Sequence, residues 1–371
     1  MTRQKLSFVF GTRPEAIKLA PIIIAARDRP DEFEVEVVSS GQHREMLDQM
    51  LHWFEIDTAV DLQVMRADQT ITHITTAVIE GVGAHLERSA PDWVFVHGDT
   101  TTTFAAALAA FYQRLPVAHV EAGLRTGDIY SPYPEEMNRL LTTRLTSLHF
   151  APTAAARDNL LREGVHEGQI IVTGNPGIDA LLLTLARSGH VGSGRPAEPN
   201  LLVTTHRREN HGDPMRSICG AVLDLLDRYP TMTVTLPLHL SPQVRRVVLP
   251  LLGGHPRVDL CEPLAYPEFV VAMAKSTLIL SDSGGVQEEA PSLGKPVLVL
   301  REMTERPEAV AAGAAVIVGA DRATIVSVAT HLLDDAAAYE RMSTVVNPFG
   351  DGTAAQQILH AITTRARPSS M

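Results

Sequence analysis

Short runs of apolar and β-branched residues recur along the chain, separated by longer stretches with helical spacing. The first series is LSFVF (6–10), FEVEVV (33–38), WVFV (93–96), PVAHV (116–120), SLHFA (147–151) and QIIVT (169–173). Between them lie helical stretches such as PEAIKLAPIIIAARD and HREMLDQMLHWF. This alternation is the signature of a parallel sheet with helices on both faces. It restarts with NLLVTT (200–205), TMTVTL (231–236), RVDLC (257–261), STLILS (276–281), KPVLVL (295–300) and AAVIVG (314–319). RSGHVGSGRPAEPN (187–200) separates the two series and is rich in Gly, Pro and Ser without apolar periodicity. The expected fold is therefore α/β, with two Rossmann-like domains facing each other across a cleft. The expected boundaries are 1–187, a linker at 188–199, and 200–371. The last segment, GTAAQQILHAITTRA, predicts a helix that could pack back on the N-terminal domain.

Length agrees with two domains, since 371 residues exceed what one core usually serves. Hydrophobic residues at 45% and charged residues at 20% suit well-filled cores. A formal charge of −11 argues against a nucleic-acid partner, which would need a basic field. Cys219 and Cys261 fit no metal spacing, and a reducing cytoplasm is the simplest home for so few thiols. The N-terminus lacks the long apolar stretch of a signal peptide, and no window of about twenty residues is apolar enough to span a membrane.

Ligands of such sheets bind beyond the carboxyl ends of the strands, so the strand-end motifs carry the functional reading. GTRPEAIKLAP (11–21) follows the first strand; its turn amides attract anions, and Arg13 and Lys18 add positive charge. The bland alternative is an ordinary βα turn with solvated basic residues. HGDTTTT (97–103) puts Asp99 beyond WVFV, where an acid could equally serve as a helix cap. EAGLRTGDIYSPYPEEMNR (121–139) adds Glu121 at a strand exit and Glu135 in the first turn of a helix, with Arg139 four residues on. Glu135 and Arg139 alone would read as a helix ion pair worth a few tenths of a kcal/mol. Three acids on one crest suit general acid–base work, because like charges held together raise a pKa.

THRREN (205–210) places His206 at a strand end with Arg207 and Arg208 beside it. A lone histidine is more often structural, although this location favours a proton or anion contact. SDSGGVQEEAPSLGKP (281–296) offers Ser283, Gly284 and Gly285 to a diphosphate, and Glu288 and Glu289 to the hydroxyls of a ribose. Arg306, in REMTERPEAV, follows the next strand. No GxGxxG follows a strand, and no HExxH, CxxC or histidine cluster is present, so neither a nicotinamide nor a metal site is expected.

Acids with a nucleoside-diphosphate cradle leave two chemistries: glycosyl transfer from a nucleotide sugar, or proton removal from the sugar itself. A ring C–H with no neighbouring carbonyl is not acidic. Without a nicotinamide to oxidise the sugar first, the available route is loss of the C2 proton with departure of the nucleoside diphosphate. Re-addition from the other face would invert C2.

FGTRPEAIKLAP, GQHREMLDQM, VHGDTTTT, HVEAGLRTGDIYSPYPEEMNR, THRREN, SDSGGVQEEAPSLGKPVLVLR and TERPEAV together resemble the non-hydrolysing UDP-N-acetylglucosamine 2-epimerases. The resemblance runs over nearly the whole chain in family order. It implies a GT-B-like fold, interconversion of UDP-GlcNAc and UDP-ManNAc, a homodimer, and no metal or other cofactor. By the same resemblance Asp99, Glu121 and Glu135 are the acid–base groups, and His206 assists at the leaving phosphate. Arg13, Lys18, Arg139, Ser283, Gly284, Gly285 and Arg306 would hold substrate, Leu264 and Phe269 would flank the uracil, and Glu289 would bind the ribose. A second nucleotide-sugar site, found in bacterial members, would involve Gln42, Arg207 and His239. The chain departs from the family at Pro176 and Gly177, where a Thr and an aliphatic residue are usual, and at Asp68, where some members carry Arg. A GT-B glycosyltransferase and a hydrolysing epimerase releasing free ManNAc and UDP are the competing enzymatic readings. A non-catalytic nucleotide-sugar sensor is the alternative outside enzymes.

Overall fold

A computed structural model describes residues 3–41, 44–66, 69–190 and 194–364. Gln42 and Asp68, raised above in connection with a second nucleotide-sugar site, lie outside the described residues.

By its contacts the chain divides into two units, one formed by Met1–Ala180 with Phe349–Met371 and the other by Leu181–Pro348. The first unit holds strands β1 (Gln4–Phe10), β2 (Phe33–Ser39), β3 (Val60–Asp61), β4 (Trp93–His97), β5 (Val117–Val120), β6 (Leu148–Ala151) and β7 (Ile170–Val172). They form one sheet in the order β3-β2-β1-β4-β5-β6-β7, and every neighbouring pair is parallel. Strand order reverses between β1 and β4, so the carboxyl ends of these two strands form the expected ligand crevice of this sheet. Their apolar residues are buried, and Phe8 stacks on Phe95 across the pair with ring centroids 4.6 Å apart. The helix Thr101–Tyr112 buries Ala105, Ala106, Ala107, Ala109 and Ala110, small residues that let it lie close to its neighbours.

The second unit repeats the plan with β8 (Asn200–Thr204), β9 (Thr233–Pro237), β10 (Val258–Cys261), β11 (Leu278–Ser281), β12 (Val297–Val299) and β13 (Ala315–Ile317). Their order is β10-β9-β8-β11-β12-β13, again all parallel, with the reversal between β8 and β11. Two Rossmann-like units are thus present, as the alternation of the sequence predicts. Only β3 has no counterpart among the expected strands. It is two residues at the sheet edge, too short to carry a pattern.

The unit boundaries fall elsewhere than composition suggests. The division at Ala180 lies inside the helix Pro176–Arg187, and the stretch expected to be a linker belongs to the second unit. There Lys295 Nζ donates to the Gly194 carbonyl at 3.0 Å, and the Arg195 guanidinium lies 4.6 Å from the Tyr339 ring centroid. Such contacts are invisible in a Gly- and Pro-rich composition. The final helix, Ala354–Thr364, returns to the first unit, where it packs on the helix Arg13–Arg27. Among the described residues no helix is long and apolar enough to cross a membrane.

Candidate active site

The turn after β1 does not offer its amides to an anion. Glu15 Oε2 accepts from the backbone N–H of Gly11 at 3.1 Å and of Thr12 at 2.8 Å. Its Oε1 accepts from the hydroxyls of Thr100 at 2.8 Å and Thr103 at 3.1 Å, which ties the turn to the segment after β4. Glu15 is buried and fills the place assigned above to an incoming anion. The T-x-x-E spacing of Thr12 and Glu15 is a capping-box signature, so this role was readable from the sequence. Arg13, the first residue of the helix, is half-buried and has no hydrogen bond or ion pair among the described residues.

Asp99 is not the helix cap that its position allows. Thr100 caps the helix Thr101–Tyr112, its hydroxyl accepting from Thr103 N at 3.1 Å, which leaves the Asp99 carboxylate to other work. Arg139 donates to Asp99 Oδ2 through Nε at 2.9 Å and Nη2 at 2.6 Å. The third arm of the guanidinium, Nη1, donates to Glu136 Oε2 at 2.7 Å. Glu136 is buried, and its Oε1 accepts from the amides of Thr126 at 3.0 Å and Gly127 at 3.1 Å. The Glu135–Arg139 ion pair of the bland reading is not formed; Arg139 pairs instead with Glu136, three residues before it, which the helix carries inward. Glu135 opens the helix Glu135–Leu145, is half-buried, and has no hydrogen bond or ion pair among the described residues.

Glu121 follows β5 directly and adopts φ 61°, a left-handed backbone that costs a non-glycine residue about 1–3 kcal/mol. Lys18 Nζ binds its Oε2, Asn175 Nδ2 donates to the same oxygen at 2.7 Å, and His97 Nε2 stands 3.8 Å from it. Oε1 takes no hydrogen bond from the described residues and lies beside Gly98, where an added Cβ would be 3.9 Å away. Burial alone would raise the Glu121 carboxyl, but the Lys18 ammonium and then His97 outweigh it and hold it well below the usual range. The acids on this crest were expected to raise one another. For Glu121 the cation beside it decides the direction instead.

In the second unit the central acid is Asp282, directly after β11. It is fully buried and collects Thr205 Oγ1 at 2.9 Å, His206 N at 3.0 Å, Arg207 N at 2.9 Å and Asn210 Nδ2 at 2.9 Å. Its Oδ1 also meets His206 Nδ1 at 3.0 Å. Burial would push this carboxyl up, yet the His206 hydrogen bond leads the groups that pull it down to about 2. An ionised Asp282 fixes the proton of His206 on Nδ1 and leaves Nε2 as the outward nitrogen. The strand-end rule that picked out His206 also picks out Asp282, which sequence reasoning passed over.

Gly284 and Gly285 open the short helix Gly284–Glu289. A Cβ would meet Arg306 at 3.8 Å from Gly284 and Ser283 Oγ at 3.9 Å from Gly285, both ordinary contacts. The fold itself does not demand glycine at either place. Arg306 Nε binds Glu288, so Glu288 is an anchor for Arg306, while Glu289 beside it is half-buried. Leu264, in the loop after β10, and Phe269, on the helix Tyr266–Lys275, are both half-buried. His239 lies with its ring 5.9 Å from that of His206, and Arg207 reaches Glu305 at 3.8 Å.

Within the first unit Lys18 is thus joined to Glu121 and Arg139 to Asp99, and within the second His206 is joined to Asp282 while Arg306 lies against Gly284. The partners that hold them, Asn175 and Glu136 in the first unit and Asp282 in the second, were not singled out from sequence, nor was His97 close to Glu121. Among the described residues no group of three or more His, Cys, Asp or Glu is arranged to hold a metal ion.

A family model described as UDP-N-acetylglucosamine 2-epimerase matches residues 25–363. The UDP-N-acetylglucosamine 2-epimerase of Neisseria meningitidis serogroup A is 48% identical over 368 residues, covering 96% of this chain and 99% of the relative. That of Escherichia coli K12 is 49% identical over 371 residues, covering 96% and 98%. A crystal structure of the Neisseria meningitidis enzyme bound to UDP-GlcNAc matches with a TM-score of 0.87 at 47% identity, covering 97% of this chain and 100% of that one. The paired Rossmann-like units are accordingly those of a GT-B-like fold. On these grounds the chain belongs to the UDP-N-acetylglucosamine 2-epimerase family.

Proposed function

We propose that the protein interconverts UDP-GlcNAc and UDP-ManNAc without net hydrolysis, by eliminating UDP to a 2-acetamidoglucal and re-adding it. The observation that carries this reading is the state of Glu121. One carboxylate oxygen is fully engaged and the other is open beside Gly98, in a strained backbone at a strand end. A carboxylate so held is built to exchange a proton in a fixed direction. The relative bound to UDP-GlcNAc supplies the substrate class.

Asp99, Glu121 and Glu135 share the removal and return of the C2 proton on the two faces of the ring. The C1–O bond breaks as the C2 proton leaves, so the double bond forms with no change in oxidation state and no redox cofactor is consumed. His206, oriented by Asp282, meets the departing diphosphate through Nε2. Arg13, Lys18 and Arg139 hold the anionic substrate in the first unit. Ser283, Gly284, Gly285 and Arg306 cradle the diphosphate, and the glycines leave room for it to approach. Leu264 and Phe269 flank the uracil, and Glu289 takes the ribose hydroxyls. Arg207 and His239, with Gln42, would contribute to a second nucleotide-sugar site, and the active form would be a homodimer.

Incubation with UDP-GlcNAc in heavy water tests the reading. Deuterium should appear at C2 of both epimers while the UDP-sugar pool is conserved. Epimerisation without solvent label would sink the elimination route, and steady accumulation of UDP with free ManNAc would replace it with a hydrolysing reaction.

A further inference from the structure

The first unit holds one more titratable group to which the proposed roles give no task. His97 ends β4 and is 4% exposed, yet neither Nδ1 nor Nε2 has a hydrogen-bond partner among the described residues. Leaving buried polar atoms unpaired costs about 1–3 kcal/mol each, so such an imidazole calls for a partner in another state of the protein. Its acid neighbour is Glu121, whose Oε2 is 3.8 Å from Nε2, just beyond hydrogen-bond reach. Lys18 and Asn175 occupy that oxygen now.

The other charged and titratable groups nearby do not compete for this role. His119 Nε2 is already bonded to the Gly98 carbonyl at 2.8 Å, and burial pushes its pKa down to about 3. His149, the register partner of His119 on β6, is pushed down by burial to about 4. Arg125 is committed to Glu163 through Nε at 2.6 Å and Nη2 at 2.8 Å. Lys18 differs from all of these, because its ammonium sits on a flexible four-carbon stem and an anionic diphosphate sugar attracts it strongly.

We propose that His97 is a positioning residue for Glu121, taking over Oε2 through Nε2–H when the anionic substrate draws Lys18 away. The inference rests on the reading of Glu121 as a proton-transfer group. The exchange moves the ammonium charge to the substrate, so the carboxylate becomes more basic. Asn175 and His97 keep its open oxygen aimed while this happens.

The His97→Phe and His97→Gln variants of the full chain test the exchange. Phenylalanine keeps the bulk and removes the donor, and should lower kcat about tenfold or more with the KM for UDP-GlcNAc within about twofold. It should also move the acid limb of the kcat–pH profile. Glutamine, which carries an N–H near the place of Nε2, should recover most of the loss. Native kcat and pH profile in His97→Phe would overturn the proposal. Equal impairment of both variants with equal loss of Tm would do the same, since that is the mark of a structural role.

A second readout does not need turnover. In ¹⁵N NMR of the native protein the His97 Nε2–H resonance should move downfield when UDP-GlcNAc is added, and should fail to do so in Glu121→Gln. A resonance indifferent to the ligand rejects the exchange. A protein that shows the shift but does not epimerise UDP-GlcNAc rejects the proposed function and leaves the His97–Glu121 contact standing.

Discussion

Asp282 grips His206 twice, through the ring Nδ1 at 3.0 Å and through the backbone N–H at 3.0 Å. One buried carboxylate thereby sets the tautomer of the imidazole and the path of the chain that carries it. The two residues follow β11 and β8, the pair of strands at which the order of the sheet reverses. Glu15 does the corresponding work in the first unit, joining the segments after β1 and β4. In both sheets a buried acid crosses the reversal point and closes the gap that the topology leaves there.

Asp282→Asn should lose stability at neutral pH and approach the native protein in acid. The native carboxyl is held at about 2 against an ordinary 3.8, so its contribution is complete above about 4 and fades as pH falls toward 2. The stability gap between variant and native protein should narrow by about 2 kcal/mol over that range. Urea denaturation at a series of pH values measures it, and a constant gap would mean that the carboxylate is not depressed. Turnover should fall as well, since the freed ring no longer keeps Nε2 outward.

Lys18→Met should shift the pH dependence of turnover in a known direction. Burial opposes the Glu121 charge and Lys18 is the largest influence sustaining it, so removing the ammonium raises the carboxyl pKa. The pH below which kcat/KM declines should therefore rise, and the loss of kcat/KM at pH 6 should exceed the loss at pH 8. If the acid limb stays in place, another carboxylate governs it.

The strand ends were legible because a parallel sheet covered on both faces writes each buried strand as an apolar run, and the residue after the run sits on the crest. Glu121, Asp99 and His206 could be found in that way. What each of them touches could not. Lys18 meets Glu121 across 103 positions of sequence, and Asp282 meets His206 across 76, through helical crossovers whose geometry no local pattern encodes. Glu135 and Glu136 show the same limit over a single residue. Helical phase sends Glu136 inward to Arg139 and the loop amides, and leaves Glu135 at the surface of the crest. The glycine- and proline-rich stretch near 190 misled for a simpler reason, because Arg195 and the Gly194 carbonyl find partners far along the chain.

Asp99→Asn should separate chemistry from architecture. Arg139 keeps its bond to Glu136, and Thr100 still caps the following helix, so Tm should change by no more than a few degrees. Turnover should fall roughly a hundredfold or more if the carboxylate exchanges a proton with substrate. Glu136→Gln should behave in the opposite sense, costing about 1–3 kcal/mol of stability through the amides of Thr126 and Gly127. Steady-state kinetics beside thermal melts distinguish the two patterns, and near-native turnover in Asp99→Asn would remove it from the chemistry.

Asp179 gives the reverse pH dependence from Asp282. It sits in the first turn of the helix Pro176–Arg187, is 8% exposed, and accepts from Ala355 N at 2.9 Å through Oδ1. Oδ2 has no partner among the described residues. Burial therefore dominates and pushes the carboxyl up to about 6, against the opposing pull of the Ala355 and Ala354 amides. The folded state binds this proton more tightly than the unfolded chain does, so the contribution is fully present below about 4 and is lost as pH rises through 6. Asparagine keeps an acceptor for Ala355 and cannot ionise. Relative to the native protein, Asp179→Asn should therefore gain about 2 kcal/mol on going from pH 4 to pH 7, whatever its stability at pH 4. Parallel denaturation curves at the two pH values give the difference directly. A difference independent of pH would place Asp179 at an ordinary carboxylate pKa, with its buried oxygen reached by water.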